Sequence, residues 1–204
     1  KITDLGILKQ LINEIYNYNG NHNIKNALKL VLHIPLRAEN LCNLKWNQIN
    51  FEKKILTIPR ENMKLSNINL DDFVMPLTDE VIKILKEHKD MQLFSIKPKE
   101  YVFLGFNNRQ AINKESPNRA LYRLGFNDEK KGTKIRLHGF RGTFRSLIDT
   151  LDTKNIFSFE VKERALDHHD KNLVARSYNH KANYHEQMIE LMKFWSKFIC
   201  SLKT

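Results

Sequence analysis

His138, Arg141, His168 and Tyr178 are the residue types that metal-free cleavage of a phosphodiester bond by a tyrosine hydroxyl requires, with Arg37 and Lys64 as further cations upstream. Leu166-Asp167-His168 precedes Tyr178, which stands ten residues after that histidine, and the pair His138 and Arg141 lies some thirty positions upstream of it. A phosphate under attack needs cationic hydrogen-bond donors, and its leaving oxygen needs a proton. A tyrosine hydroxyl, with an ordinary pKa of about 10, must lose its proton to act as the nucleophile. Guanidinium forks stay charged at any working pH and fit phosphate geometry. Other phosphoryl-transfer enzymes neutralise the same developing charge with metals held by clustered carboxylates. Here arginines stand in that place.

Each of these residues has an ordinary reading when taken alone. Lys64 is one of many lysines, Arg37 suits a solvated surface, and a histidine and arginine three apart suit the wet face of a helix. Tyr178 suits a core position with its hydroxyl at the rim. Their joint occurrence, in order, gives the chemical reading its weight.

Composition narrows the partner. The 204 residues, 41% hydrophobic, are enough for one core of ordinary size, so one domain is expected over residues 1–204. Lys and Arg total 34 against 23 Asp and Glu, a net charge of +11, which suits a polyanion such as DNA, RNA, ribosome or an anionic membrane face. The longest apolar runs, such as 30–36, are short and contain His33 and Pro35, so no membrane span is expected. Cys42 and Cys200 have no neighbour at metal-ligand spacing, which points to a reducing cytoplasmic compartment. His138, His168, His169 and His180 form no four-ligand pattern, and neither metal nor cofactor is expected. The chain starts at Lys1 with no signal-peptide pattern, so an upstream segment is expected to be missing.

The elements that must position these groups follow from periodicity and punctuation. Thr3 is the expected cap of a helix with Leu5, Leu8, Leu11, Ile12 and Ile15 at helical spacing, ended by Asn19-Gly20. Asn23 is the expected cap of a second helix, from about Ile24 to His33, stopped by Pro35. A short helical pattern follows Arg37. Ile49 to Phe51, Ile55 to Ile58 and Phe73 to Pro76 read as a small antiparallel sheet, its first turn being Glu52-Lys53-Lys54. Thr78 caps the next helix, with Val81, Ile82, Leu85 and Leu93 on one side. A buried strand is expected at Tyr101 to Phe103, loops at Asn107 to Pro117 and Glu129 to Lys134, and a helix at Asn118 to Leu124. Further helices are expected at Leu137 to Leu151, Phe159 to Leu166, Leu173 to Tyr178 and Asn183 to Ile199. On the helix from Leu137, His138 and Arg141 fall on one side and reach one small target. The final stripe of Met188, Leu191, Met192, Trp195 and Phe198 reads as core or as packing between protomers.

This order of elements, with Leu36-Arg37, Met63-Lys64, His138-Gly-Phe-Arg141, Leu166-Asp167-His168 and Tyr178, resembles the catalytic domain of tyrosine recombinases, in particular integrases of satellite phages and genomic islands. The resemblance implies a mainly α-helical domain with a three-stranded antiparallel sheet on one edge, preceded by DNA-clamping domains. It implies that Arg37 and Arg141 grip the scissile phosphate and that Lys64 is the general acid for the departing 5′ oxygen. His138 would assist proton transfer, His168 would bind the phosphate or support the nucleophile, and Tyr178 would form a 3′-phosphotyrosine bond without ATP. Double-stranded DNA is the implied partner, with a homotetramer on DNA and a monomer away from it. A bacterial or phage-encoded, nucleoid-associated cytoplasmic protein is implied as well. A type IB topoisomerase-like enzyme and a binding-only, degenerate integrase are the alternatives. Two positions depart from the family pattern: Asn40 stands where a carboxylate is usual, and Asp167 where Gly or Ala is usual. His169 is the fallback for His168.

Overall fold

In the computed structural model, which describes residues 1–64, 66, 70–92, 99–168 and 184–204, the chain is built around α2 (His22–His33). Ala27, Leu28, Leu30, Val31 and Leu32 of this helix are all buried. A helix that is apolar around most of its circumference belongs inside. The helices α1 (Leu5–Tyr16), α4 (Asp79–Gln92), α5 (Glu115–Arg123), α6 (Leu137–Leu151) and α8 (Tyr184–Ser201) pack against it. Between them lie α3 (Ala38–Cys42) and α7 (Phe159–Ala165).

The strands β1 (Ile49–Asn50), β2 (Ile55–Ile58) and β3 (Phe73–Pro76) form the expected antiparallel sheet in the order β1-β2-β3, with Ile49 opposite Leu56 and Ile58 opposite Phe73. Phe51 falls in the turn rather than in β1. Leu56, Ile58, Phe73 and Met75 are buried, as the two-residue alternation of a half-covered sheet requires. The architecture is therefore mainly helical with one small sheet, as the sequence indicates.

Several boundaries move for identifiable reasons. The cap of α1 is Asp4, not Thr3: its carboxylate accepts the Ile7 N–H at 2.9 Å and also complements the positive helix end. The cap of α2 is Asn21, which leaves Asn23 inside the helix, buried, accepting the Leu104 N–H at 2.9 Å. No strand forms at 101–103. Val102 and Phe103 are fully buried, but pairing there is limited to isolated bridges, Lys45 with Tyr101 and Leu104 with Ala111. The helix α5 begins at Glu115, ahead of Pro117, because proline in a first turn gives up no intrahelical hydrogen bond. It ends at Gly125, whose φ of 90° closes the helix through Phe126 N–H to Leu121 O at 3.0 Å.

The stripe on α8 belongs to this chain's own core. Met188, Leu191, Met192, Trp195 and Ile199 are buried, while Phe198 is only partly so. The Trp195 indole donates to Leu32 O at 2.8 Å and meets Phe144 edge-on at 5.1 Å between centroids. The expected helix at 173–178 and Leu93 lie outside the described residues. Among the described residues no helix is long and apolar enough to cross a membrane.

Candidate active site

Leu36 is buried and Arg37 follows it as the N-cap residue of α3, so the arginine leaves the helix end rather than its side. It lines a cavity of about 670 Å³ together with Asn40, Lys45, Lys64, Lys114 and His138. Glu39 and Glu61 share the wall with four permanent cations, of which Lys45 is already paired with Glu100 at 2.7 Å. Three residues singled out from the sequence, Arg37, Lys64 and His138, therefore meet on one concave surface despite their separation in the chain.

Arg141 does not line this cavity. It is 5% exposed, and its guanidinium donates to Pro35 O at 2.8 Å and to Leu166 O at 2.6 Å, with His168 Nε2 at 3.3 Å from Nη2. The spacing of His138 and Arg141 suggests that both reach one target. In the structure His138 opens to the cavity, whereas Arg141 turns inward to bind the carbonyls flanking Arg37 and His168. Burial, then the like charge of Arg37, brings the Arg141 pKa down to about 10, so the guanidinium remains charged at neutral pH. The carboxylates of Asp167 and Glu163 offset part of this repulsion. Arg37 Nε is buried without a hydrogen-bond partner among the described residues, a donor ready for one.

His168 owes its position to the end of α7. Asp167 adopts φ 51°, its N–H bonds Arg164 O at 2.9 Å, and the His168 N–H reaches back to Glu163 O at 3.0 Å, a left-handed helix cap that reverses the chain. The reversal brings His168 Nδ1 to 2.7 Å from Glu163 Oε2. Glu163 in turn accepts from Arg145 Nε at 2.5 Å. Nδ1 is thus turned to a carboxylate and Nε2 to Arg141.

Asp167 points inward, the orientation that would be unfavourable beside a phosphate if its charge were bare. It is 2% exposed, and its Oδ1 accepts from Arg60 Nη1 at 2.8 Å while Oδ2 stands 3.8 Å from Arg37 Nη2. Asn40, the other departure, donates from Nδ2 to Asn62 O at 2.9 Å, joining α3 to the connection that holds Lys64.

The profile of the phage integrase family matches residues 7–185. The chain belongs to this family of tyrosine recombinases. It is 26% identical over 207 residues to the IntB protein of Escherichia coli strain K12, covering 96% of this chain and 49% of that protein. To the integrase of Enterobacteria phage P4 it is 23% identical over 191 residues, covering 89% of this chain and 41% of that protein. The integrase domain thus spans about half the length of the curated relatives it matches. The Tn1549 transposon integrase, solved in complex with transposon right end DNA, has a similar fold, with a TM-score of 0.58 at 15% identity over 91% of this chain and 63% of that one.

Of the integrase residues expected from the sequence, Tyr178 lies outside the described residues, as does His169. Sequence reading missed Lys45, Lys114, Arg60, Glu163 and Arg145. Their contacts to the site come from other elements, and the local spacings, Glu163 five residues before His168 and Arg145 four before Asp149, read as ordinary helical surface pairs. A separate trio, His33, Glu80 and Cys200, places three possible ligand atoms within 4.8 Å of one another. Both nitrogens of His33 are already engaged, with Tyr16 at 3.0 Å and Ser196 at 2.8 Å, and Glu80 accepts from the same Tyr16 hydroxyl, so His33 and Glu80 belong to a hydrogen-bonded network.

Proposed function

We propose that this chain is the catalytic domain of a site-specific DNA recombinase that cuts and rejoins strands through a 3′-phosphotyrosine ester, with no metal and no ATP. The observation that supports this best is the meeting of Arg37, Lys64 and His138 on one cavity wall, with Arg141 bonded to the Pro35 and Leu166 carbonyls that flank Arg37 and His168. In this reading the guanidinium groups hold the non-bridging oxygens of the scissile phosphate. The Tyr178 oxygen attacks phosphorus, and the bond to the 5′ oxygen breaks. Lys64 gives that oxygen its proton, while His138 helps move the proton that Tyr178 loses. His168, oriented by Glu163, holds the phosphate or supports the nucleophile. The ester formed is close in energy to the bond broken, so rejoining needs no external energy source.

Double-stranded DNA is the partner that the +11 charge and the cationic cavity both suit, and a tetramer on two duplexes is the working assembly that the family implies. Upstream DNA-clamping domains complete the enzyme in this reading. Asn40 and Asp167 each have a defined partner, which supports an active site over a binding-only remnant. The experiment is a trapping assay on a nicked DNA site: covalent protein–DNA adducts form with the wild-type chain and vanish in Tyr178→Phe. Adducts that persist in the variant refute Tyr178 as nucleophile.

A further inference from the structure

Arg60 sits on a short turn (Arg60–Asn62) at the start of the connection between β2 and β3, the same connection that holds Lys64. It is buried, and three of its donors are used. The backbone N–H bonds Asp72 Oδ1, Nε bonds Asp71 O, and Nη1 bonds Asp167 Oδ1, each at 2.8 Å. The first two bonds close the base of the connection onto itself. The third fastens that base to the cap of α7, where the next residue is His168. Through Oδ2 the same Asp167 carboxylate also stands 3.8 Å from Arg37.

From this arrangement we infer that Arg60 and Asp167 form a positioning pair that sets Lys64 in register with Arg37 and His168. The inference rests on the reading of Lys64 as general acid. A lysine presents its ammonium on a flexible four-carbon stem, and proton transfer needs that group within about 3 Å of the leaving oxygen. Asn40 ties the connection to α3 at Asn62, and one such joint leaves its angle to the rest of the site free. Arg60 draws the connection toward the elements that grip the phosphate, with one carboxylate serving as the common point. A buried ion pair is weak evidence for added stability, because both partners lose hydration. Geometry is what this one supplies. Lysine could not replace Arg60, since one ammonium cannot span Asp71 O and Asp167 Oδ1 in the fixed directions of a guanidinium fork.

The test compares cleavage of ordinary DNA with cleavage of DNA whose scissile phosphate bears sulfur in place of the bridging 5′ oxygen. A thiolate leaves without a proton, so a fault confined to the general acid disappears on the sulfur substrate. The variants are Lys64→Ala and the double variant Arg60→Met with Asp167→Asn, which leaves neither charge buried alone. Asp167→Asn by itself keeps both bonds from Arg60 to its own connection and serves if the double variant does not fold by circular dichroism. On ordinary DNA the double variant should be slower by about tenfold, the scale of one charge-assisted hydrogen bond, and Asp167→Asn slower by less. On the sulfur substrate both deficits should close, as the Lys64→Ala deficit does. Wild-type rates on ordinary DNA, or a deficit equally large on both substrates, overturn the positioning role. If Lys64→Ala itself is not relieved by sulfur, the assignment of Lys64 as the acid is what fails.

Discussion

Glu163 holds His168 twice, by its backbone carbonyl on the His168 N–H at 3.0 Å and by its carboxylate 2.7 Å from Nδ1. The first bond is a helix cap and the second turns the ring, so one residue determines both where the ring lies and which nitrogen faces Arg141. Replacing Glu163 with alanine keeps the cap and loses the orientation. Single-turnover cleavage should slow roughly 10- to 100-fold, the worth of a hydrogen bond to a charged group, with DNA affinity nearly unchanged. Glu163→Gln, which retains an acceptor oxygen, should fall between. An alanine variant with the wild-type rate would remove the carboxylate from the site.

Arg37→Ala and Arg141→Ala should each reduce cleavage by about 10²- to 10³-fold, the usual cost of losing one preorganised donor. Arg141→Lys should not restore activity, because an ammonium cannot bond Pro35 O, Leu166 O and a phosphate along fork directions. The readout is the rate of adduct formation at saturating DNA.

DNA affinity should fall steeply with salt, the logarithm of the binding constant declining linearly with the logarithm of salt concentration. Removing a cavity lysine that contacts phosphate, such as Lys45 or Lys114, should lower the magnitude of that slope by about one unit. A flat salt response would exclude a polyanion as partner.

Acid should unfold this domain early. Burial holds His33 and His88 down to about 4 from an ordinary 6.5, and both are stitched into the core as neutral rings. Below pH 6.5 the unfolded chain takes up protons that the folded chain refuses until about pH 4. The stabilisation is therefore complete above 6.5 and is lost as pH falls through that window, on the order of 3 kcal/mol per ring at most. Urea midpoints measured between pH 7 and pH 4.5 should decline accordingly, and less so in His33→Gln.

Trp195→Ala should cost about 3–5 kcal/mol, since it empties a large buried volume and leaves Leu32 O without its donor. Chemical denaturation gives the value directly. A loss below 1 kcal/mol would mean that α8 contributes little to the fold.

The sheet and the long helices were legible because each rests on local periodicity, whereas Arg37 and Lys64 were singled out by the family resemblance, since a lone arginine or lysine carries no periodic signal. Helix starts were less legible. Thr3 and Asp4 can both cap, as can Asn21 and Asn23, and the choice was made by tertiary demands such as the Leu104 N–H that claims Asn23. Val102 and Phe103 read as a strand because a short apolar run has no period that separates a strand from a buried connection. The turn of Arg141 away from the cavity was hidden for a related reason: helical spacing gives a side, while its actual partners, Pro35 and Leu166, come from distant segments. The inward Asp167 carried no sign of its remedy, because Arg60 lies 107 positions earlier.

Asn40 has one more consequence. A carboxylate at that position could give a hydrogen to Asn62 O only while protonated, whereas the amide gives one at every pH. The joint between α3 and the Lys64 connection is therefore indifferent to acidity. The loss of stability that acid causes through His33 and His88 thus does not begin at this joint.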